Sequence, residues 1–558
     1  MSNLKINTET LLDIEQTLTS KGYLYKLQEK SIVPSSIDQI IIPDKEYDCL
    51  EKVTIKSENN LVSENIKAGT SIFKVEGRYQ DHTFEDNLLK KDIKTCTKDN
   101  VRHIREFAFY QCKSLTAASF PTCTTIGNNA FYNCNALTSV SFPVCTTIGT
   151  NAFFNCGSLA SVNFPACTGI NNLAFSSCRS LISVSFPACV TIGISAFTSC
   201  TALTSVDFPA CTTISSYAFS SCTSLTSVNF PMCTTIGGYA FSGCKLITVS
   251  FPACATIGNN AFYMQNKLTS ANFPSCLTIN NCAFQLCYSL TTTSFPMCSY
   301  IGYSAFQACD LLTSIHFPVC TKVDTAAFGG CIGITSVSLP MCTNIATDAF
   351  KACEELPDAQ LPACTRIGSE AFKYCRKLLT ANFPSCNTIE SAAFALCTSL
   401  NTVFFGKNFT GTSATLYPQA FENCTTLTNL VLYYSTVAKL SAINAFTSTP
   451  IADSSYTGSF GSIYVPASLV NAYKSATNWA TYADRITAIE NKPELEDDSW
   501  KESTISLPTW KDDPEILTYE EYLLFSPVAQ EAHYDRFPSY VEFFAWLNAA
   551  KDAYNAGG

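Results

Sequence analysis

Thirty cysteines are the first candidates for chemistry in this 558-residue chain. Twenty-seven of them fall in two series, one running Cys123, Cys145, Cys167, Cys189 and on to Cys386, the other Cys112, Cys134, Cys156, Cys178 and on to Cys424. Members of the two series alternate 11 residues apart, a spacing that suits no zinc site, and there is no C-x-x-C pair. A reactive thiol needs a basic, partly exposed setting; Lys245 beside Cys244 and Arg179 beside Cys178 are isolated cases. So many cysteines would ordinarily suggest a disulfide framework and secretion. However, Gln265 breaks the second series with no loss in the first, whereas a disulfide framework should lose cysteines in pairs. The expectation is therefore reduced, buried thiols that pack as small hydrophobes. His82, His103, His316 and His533 stand far apart and at no ligand spacing. His316 is expected to face outward as a surface residue. No P-loop, G-x-S-x-G, H-E-x-x-H or dinucleotide fingerprint occurs. Carboxylates are too sparse through the cysteine region for paired acid–base work. Neither an enzyme nor a cofactor is expected.

What positions the cysteines is a repeat. The stretch from Leu137 reads LTSVSFPVCTTIGTNAFFNCGS, the next from Leu159 reads LASVNFPACTGINNLAFSSCRS, and the period is 22 residues. A fixed period of this size predicts a solenoid. Regular units begin at Leu115 and continue to the one at Leu378; the unit at Leu225 is one residue short and the unit at Leu400 is distorted. Within a unit, Leu137, Val140 and Phe142 should point inward from a strand, with Thr138, Ser139 and Ser141 outward. Pro143 ends the strand because it has no ladder donor. Cys145 and Ile148 form a second inward pair, and Gly149 is read as a turn that tolerates other residues. Ala152, Phe153 and Cys156 should pack back over a short helical turn. Phe131, Phe153, Phe175 and Phe197 belong to one aromatic spine, and Cys134, Cys145, Cys156 and Cys167 to the core beside it. No unit can bury this face alone; stacking does it. At about 4.8 Å per coil, fourteen coils give roughly 65–70 Å.

The pattern F-P-x-C-T-x-I-G-x-x-A-F-x-x-C-x-x-L-T-S-V resembles the BspA-like (Treponema-type) leucine-rich repeat family, and implies a leucine-rich-repeat solenoid of strands and short helical turns. The first cysteine series departs from the family, which more often has leucine or valine there. Residues 461–490, with a Y-V-P strand, a short helix, Trp479 and a final A-D-R-I-T-A-I strand, resemble the terminal cap of such proteins. Trp479 and Tyr482 are read as cap packing. The expected organisation is an N-terminal attachment module (1–100), the solenoid (101–460), its cap (461–490), and an acidic linker followed by an aromatic helical docking segment (491–558).

The ends carry different signals. Leu11, Leu12, Ile14 and Leu18 suggest a short helix. Residues 47–79, YDCLEKVTIKSENNLVSENIKAGTSIFKVEGRY, read as a small β module built on VTI and IFKV. That segment resembles one in tail and baseplate proteins of phages, although Cys49 and Lys74 stand where that pattern has glycine. Residues 515–555 are rich in aromatics, with a helical apolar spacing at Val541, Phe544, Leu547 and Ala550. The N-terminal part is read as attaching to other virion proteins or further copies of this chain, and residues 515–555 as short helices that either fold back on the solenoid or dock on such a partner.

Net charge is −10, and from Glu490 onward there are 15 acidic and 5 basic residues, so the remainder is near neutral. Nucleic-acid binding needs a basic stripe and is not expected. No run of about 18 apolar residues predicts a membrane span. The N-terminus does not read as a signal peptide and the C-terminus does not read as an anchor.

What remains is surface. The strand face presents Thr138, Ser139 and Ser141, then Ser161 and Asn163, Ser205 and Asp207, Ser227 and Asn229. Such a face suits a glycan or a polar protein, although small hydroxyls also simply suit exposed strands. A second exposed row is expected to include Tyr132, Phe154, Tyr217, Tyr239, Tyr263, Tyr288, Tyr300 and Tyr303, since tyrosines favour interfaces. From Leu312 the surface gains charge, including Lys322, Asp324, Asp348, Lys351, Glu370 and Lys373. This charged third and the tyrosine-bearing middle are the two stretches a partner would select. The favoured reading is a non-enzymatic phage virion protein (tail, fibre or baseplate-associated), assembled in the bacterial cytoplasm, whose solenoid meets a host-surface glycan or protein. The alternatives are a bacterial cell-surface adhesin and an intracellular protein-binding scaffold.

Overall fold

The computed structural model describes residues 93–452, 461–492 and 495, together with the three strands Gln39–Ile41, Val53–Ile55 and Phe73–Val75. Those strands form an antiparallel sheet in which Val53–Ile55 pairs with both others, so VTI and IFKV are strands as read. The helix expected at Leu11–Leu18 and the helical segment at 515–555 lie outside the described residues.

The rest is a right-through stack of coils. Counting Leu137 as position 1, each coil carries a strand at positions 3–5, such as Ser139–Ser141, and a second at positions 11–12, such as Thr147–Ile148. Both pair in parallel and in register with the equivalent strands of neighbouring coils. The second strands join in one sixteen-stranded sheet from His103–Ile104 to Lys439–Leu440. The stack begins earlier than the sequence suggested. Thr95–Thr97 already pairs with Ala117–Ser119, and Cys96 occupies the inward place of Ala118 and Val140. Its T-C-T sequence hides a strand that elsewhere carries leucine and valine. Val140 itself is half-buried, not fully inward.

The short helical turn is not present. Asn151 and Asn155 take left-handed conformations, with φ of 55° and 54°, and the same two positions recur in coil after coil. The N–H groups of Asn151, Phe153 and Asn155 donate to Asn172, Ala174 and Ser176 of the next coil at 3.0, 2.7 and 2.8 Å. Their donors are thus spent between coils and none remains for a helical i→i−4 bond. Gly149 is not the left-handed residue. Its role is close approach, for a Cβ there would lie 2.6 Å from the backbone of Gly127 and Asn128.

The core holds two interlocked phenylalanine columns. Phe153 stacks on Phe175 at 5.1 Å, Phe142 on Phe164 at 5.6 Å, and the columns mesh edgewise, Phe131 against Phe142 at 6.0 Å. Offset and T-shaped contacts of this kind add to simple area burial. Phe131, Phe153, Phe175, Phe197, Cys134, Cys145, Cys156 and Cys167 are all fully buried. The Cys156 thiol donates to the Phe131 carbonyl of the preceding coil at 3.1 Å, and the Cys145 thiol to the Thr147 carbonyl at 3.3 Å. Gln265 shows what the first of these bonds is for. Fully buried, it donates from Nε2 to Phe241 O, the acceptor a cysteine would use, while its Oε1 accepts from Leu246 N at 3.1 Å. A longer side chain with two hydrogen bonds replaces one thiol rung.

At the far end the distorted unit loops out around Gly406, which at φ 77° lies against the Tyr434 ring; Tyr434 donates its hydroxyl to Cys386 O at 2.9 Å. The last coil is closed by the helix Val470–Ser475 and the 3-10 segment Trp479–Arg485. Tyr473, Trp479 and Tyr482 are buried over Phe446 and Ala438, with Trp479 Nε1 donating to Ala438 O at 2.6 Å. They cover the terminal apolar face, as a solenoid end requires.

Candidate functional site

The strand at positions 3–5 alternates, so residues 3 and 5 of every coil point away from the core. Ser139, Ser141, Ser161, Asn163, Ser205, Asp207, Ser227 and Asn229 are all exposed, as is Thr138. Their partners differ by position. Thr138 Oγ1 donates to Thr116 O at 2.9 Å, and Thr226 Oγ1 to Thr204 O at 3.3 Å, so the threonines at position 2 are bound into the coil stack. At position 5, Asn229 Nδ2 donates to Asp207 Oδ1 at 2.8 Å. The position-3 hydroxyls of Ser139, Ser161, Ser183, Ser205 and Ser227 make no hydrogen bond among the described residues. They form an open ladder of donors and acceptors, repeated once per coil.

The aromatic row does not exist as one row. Tyr132, Phe154 and Tyr263 stand at position 18, Tyr217 and Tyr239 at position 15, Tyr300 at 11, Tyr303 at 14 and Tyr288 at 21. Tyr110, Tyr132 and Phe154 stack at 5.1 and 4.9 Å, and Tyr217 stacks on Tyr239 at 4.9 Å. Rings stacked along the rod cover each other's faces and present only edges, which removes the flat surface a sugar ring would lie on. Tyr239 and Tyr263 are half-buried; Tyr217 and Tyr303 stay exposed. Tyr300 is half-buried and donates to Asp324 Oδ2 at 2.7 Å, with Lys322 paired to the same carboxylate at 3.2 Å. Burial, and then the Asp324 carboxylate, push the Tyr300 hydroxyl up to about 12.

The charges of the last third pair with each other. Asp348, Lys351, Glu370 and Lys373 form a ladder with contacts of 3.0, 2.7 and 3.1 Å, and Arg376 meets Glu354 at 3.7 Å. Lys351 above all holds the Glu370 carboxyl below its ordinary range. His316 is not the surface residue expected. It is half-buried, and burial pulls its imidazole down to about 4, so it is neutral at physiological pH.

Nearly all the described thiols are buried. Burial raises the Cys145, Cys178 and Cys254 thiols to about 12. All the described cysteines are free thiols, and Cys282 alone among them is half-exposed. Among the described residues no three His, Cys, Asp or Glu side chains converge as a metal site, and no helix is long and apolar enough to cross a membrane.

Comparison with known proteins fits this geometry. The family model of the BspA type leucine rich repeat region (6 copies) matches over four overlapping stretches, residues 102–222, 190–312, 299–428 and 343–467. The chain belongs to that family of leucine-rich-repeat solenoids. Among solved structures, it is similar to a leucine-rich repeat protein from Bacteroides ovatus, at 22% identity and a TM-score of 0.44 over 72% of this chain and 98% of that one. A leucine rich cell surface protein from Faecalibacterium prausnitzii matches at 22% identity and a TM-score of 0.32, over 64% of this chain and 91% of that one. The T. pallidum leucine rich repeat protein matches at 22% identity and a TM-score of 0.24, over 32% and 78% of the two chains. No curated protein matches.

Proposed function

We propose that this protein is a non-enzymatic adhesive scaffold whose strand face binds an elongated polar partner, a surface glycan or the polar face of another protein. The observation that carries this reading is the open position-3 serine ladder, flanked by the exposed Asn163, Asp207 and Asn229. A repeating array of hydroxyls matches a repeating polymer, because each coil offers the same donor–acceptor pair at the same interval. Membership of the BspA type family supports a place on a bacterial surface. A second reading, attachment of the same scaffold to a phage virion, rests on the phage-like segment 47–79, within which Val53–Ile55 and Phe73–Val75 pair as antiparallel strands.

Screening the full chain on a glycan array, with Ser183→Arg and Ser205→Tyr variants alongside, tests the face. Binding by the parent and at least a tenfold loss in both variants, at unchanged melting temperature, is the expected result. Equal binding by all three proteins defeats the assignment. Immunogold labelling then separates the settings: label on intact cells favours the surface protein, label on purified particles the virion.

A further inference from the structure

The two strands of each coil are not joined alike along the rod. The second strands make one sheet of sixteen, whereas the first strands make several short sheets. Ser161–Asn163 pairs only with Ser183–Ser185, and Ser205–Asp207 only with Ser227–Asn229. Pairing stops between Ser139–Ser141 and Ser161–Asn163, and again between Ser183–Ser185 and Ser205–Asp207. It stops likewise just before Thr248–Ser250, Ser314–His316 and Asp358–Gln360, which makes five open junctions among the described coils. At each the same donor is lost. Across a paired junction the position-6 N–H donates to position 5 of the next coil, as from Phe164 to Ser185 and from Phe208 to Asn229, both at 3.0 Å. Among the described residues, the N–H groups of Phe142, Phe186, Phe230, Phe295 and Leu339 make no such bond.

The side chains divide in the same way. At position 2 the hydroxyls of Thr138, Thr226, Thr269, Thr291 and Thr335 donate to a carbonyl of the preceding coil, and every one of these clasps spans a paired junction. Across the open junctions the same place holds Ala160, Thr204, Ile247, Thr313 and Pro357, and no clasp is made there among the described residues. One backbone bond persists, from Ile247 N to Thr226 O at 3.2 Å. The opening reaches the core. Position-6 rings stand 5.6, 5.8, 5.9 and 5.6 Å apart across the first four open junctions. Across the paired junctions between Phe164 and Phe295 they stand 5.3 or 5.4 Å apart. Two paired junctions nearer the ends, Phe120–Phe142 at 5.6 Å and Phe383–Phe405 at 5.7 Å, are as wide. The position-17 rings do not follow the pattern. Phe153–Phe175 and Phe197–Phe219 cross open junctions at 5.1 and 5.2 Å, Phe175–Phe197 and Phe219–Phe241 paired ones at 5.3 and 5.4 Å. Each open junction is therefore a wedge, wide at the strand face and closed behind it.

We propose that these five junctions are bending joints, at which the strand face opens and closes about the continuous second sheet as hinge line. The rows behind the face keep their bonds at the open junctions. Thr168 N donates to Thr146 O at 3.1 Å and Phe153 N to Ala174 O at 2.7 Å across the first, and Thr212 N to Val190 O at 2.9 Å and Phe197 N to Ala218 O at 2.8 Å across the second. Opening a paired junction breaks its strand bonds and, where a threonine stands at position 2, a clasp as well; widening an open one breaks almost none. Motion therefore gathers at the open junctions. The strand face becomes a row of plates, such as Ser161–Ser185, Ser205–Asn229 and Thr248–Ser294, each two or three coils long. Their spacing changes as the rod bends, while the surface of each plate does not. The inference stands apart from the strand-face reading, because a rod that bound nothing would bend at the same places.

Amide hydrogen exchange of the full chain, read residue by residue by mass spectrometry with electron-transfer fragmentation, tests where the joints lie. The Phe142, Phe186 and Phe230 amides should exchange at least tenfold faster than those of Phe164, Phe208 and Phe251; equal or inverted rates would overturn the assignment. Spin labels test the bending itself. They are attached through p-acetylphenylalanine, because the chain carries thirty cysteines. One pair, at Ser139 and Ser336, reports on the strand face; the other, at Thr147 and Asn344, reports on the second sheet of the same two coils, nine coils or about 43 Å apart. The distance distribution on the strand face should be about twice as wide as that on the second sheet. Equal widths, or the broader distribution on the second sheet, would overturn the hinge even if the exchange rates came out as expected.

Discussion

Two stretches of one solenoid close their outer turns in different ways. Between Leu115 and Leu311 the only charged residues are Arg179, Asp207, Lys245, Lys267 and Asp310. There positions 15 and 18 carry aromatic stacks, Tyr217 on Tyr239 and Tyr132 on Phe154. From Leu312 to Glu390 the same two positions carry the ladder Asp348–Lys351–Glu370–Lys373. Inside, one column and the thiol rungs are kept: Phe197 stacks on Phe219 at 5.2 Å and Phe328 on Phe350 at 5.3 Å, and the thiols of Cys200 and Cys353 reach the preceding phenylalanine carbonyl at 3.2 and 3.4 Å, whereas Leu339 and Leu361 replace phenylalanine in the other column. Outer rungs are exchanged freely, inner phenylalanine and thiol rungs only at Gln265, Leu339 and Leu361 among the described regular coils. The charges of the last third are engaged with one another, within and between coils.

The comparison breaks most plainly at the core. Phe175→Ala and Phe350→Ala should each cost about 3–5 kcal/mol in urea unfolding, Phe175 the more, because Phe164 and Phe186 meet it edge-on where Phe350 has Leu339 and Leu361; equal losses would show that the edgewise ring contacts contribute nothing. Next comes the one altered inner rung. Gln265→Leu strands Phe241 O and Leu246 N in a dry core and should cost about 1–3 kcal/mol, while Gln265→Cys, which restores a thiol donor, should cost less. The outer rungs separate by salt. Tyr239→Ala should lose about 1 kcal/mol at any ionic strength. Glu370→Ala should lose at most about 1 kcal/mol in dilute buffer and almost nothing in 1 M NaCl. Acid should act likewise. The folded Glu370 carboxyl is depressed, so its contribution is present above the ordinary carboxylate pKa and is lost as pH falls through the lower folded value. Amide exchange should then quicken in the coil at 356–377 and not in that at 203–224. The smallest effect lies in the backbone. Ala352 is left-handed at φ 59°, where Gly330 sits in its own coil at 76°; Ala352→Gly should stabilise by about 0.5 kcal/mol and Gly330→Ala destabilise similarly.

The interior was legible because burial repeats with the chain. Phenylalanine, cysteine and isoleucine recur at fixed places, and a period of 22 leaves them one explanation. The helical turn was misread for a physical reason. The A-F-x-x-C spacing fits a helix face as well as it fits a turn with two left-handed residues, and only the destination of the N–H groups tells them apart. The tyrosines were misgrouped although the signal was present: Tyr132 and Tyr217 lie 85 residues apart, which is no multiple of the period. The ion ladder was readable in the same way, as Lys351 and Glu370 stand at positions 18 and 15 of successive units. The half-burial of His316 was not, since nothing local to that strand sets it apart from Ser141. Hydroxyl ladders likewise leave a ligand open, because a serine takes and gives hydrogen bonds in many directions.

Away from the strand face, the backbone bonds between regular coils repeat with the period, as from Phe153 to Ala174 and from Phe175 to Ala196. Excising residues 159–180 would therefore bring Ser139 beside Ser183 and Phe153 beside Phe197, with neither partner type altered. The molecule is in this sense a ruler graduated in whole coils. Its reach can be reset by about 4.8 Å per unit added or removed, while both ends, and whatever they hold, keep the chemistry they had.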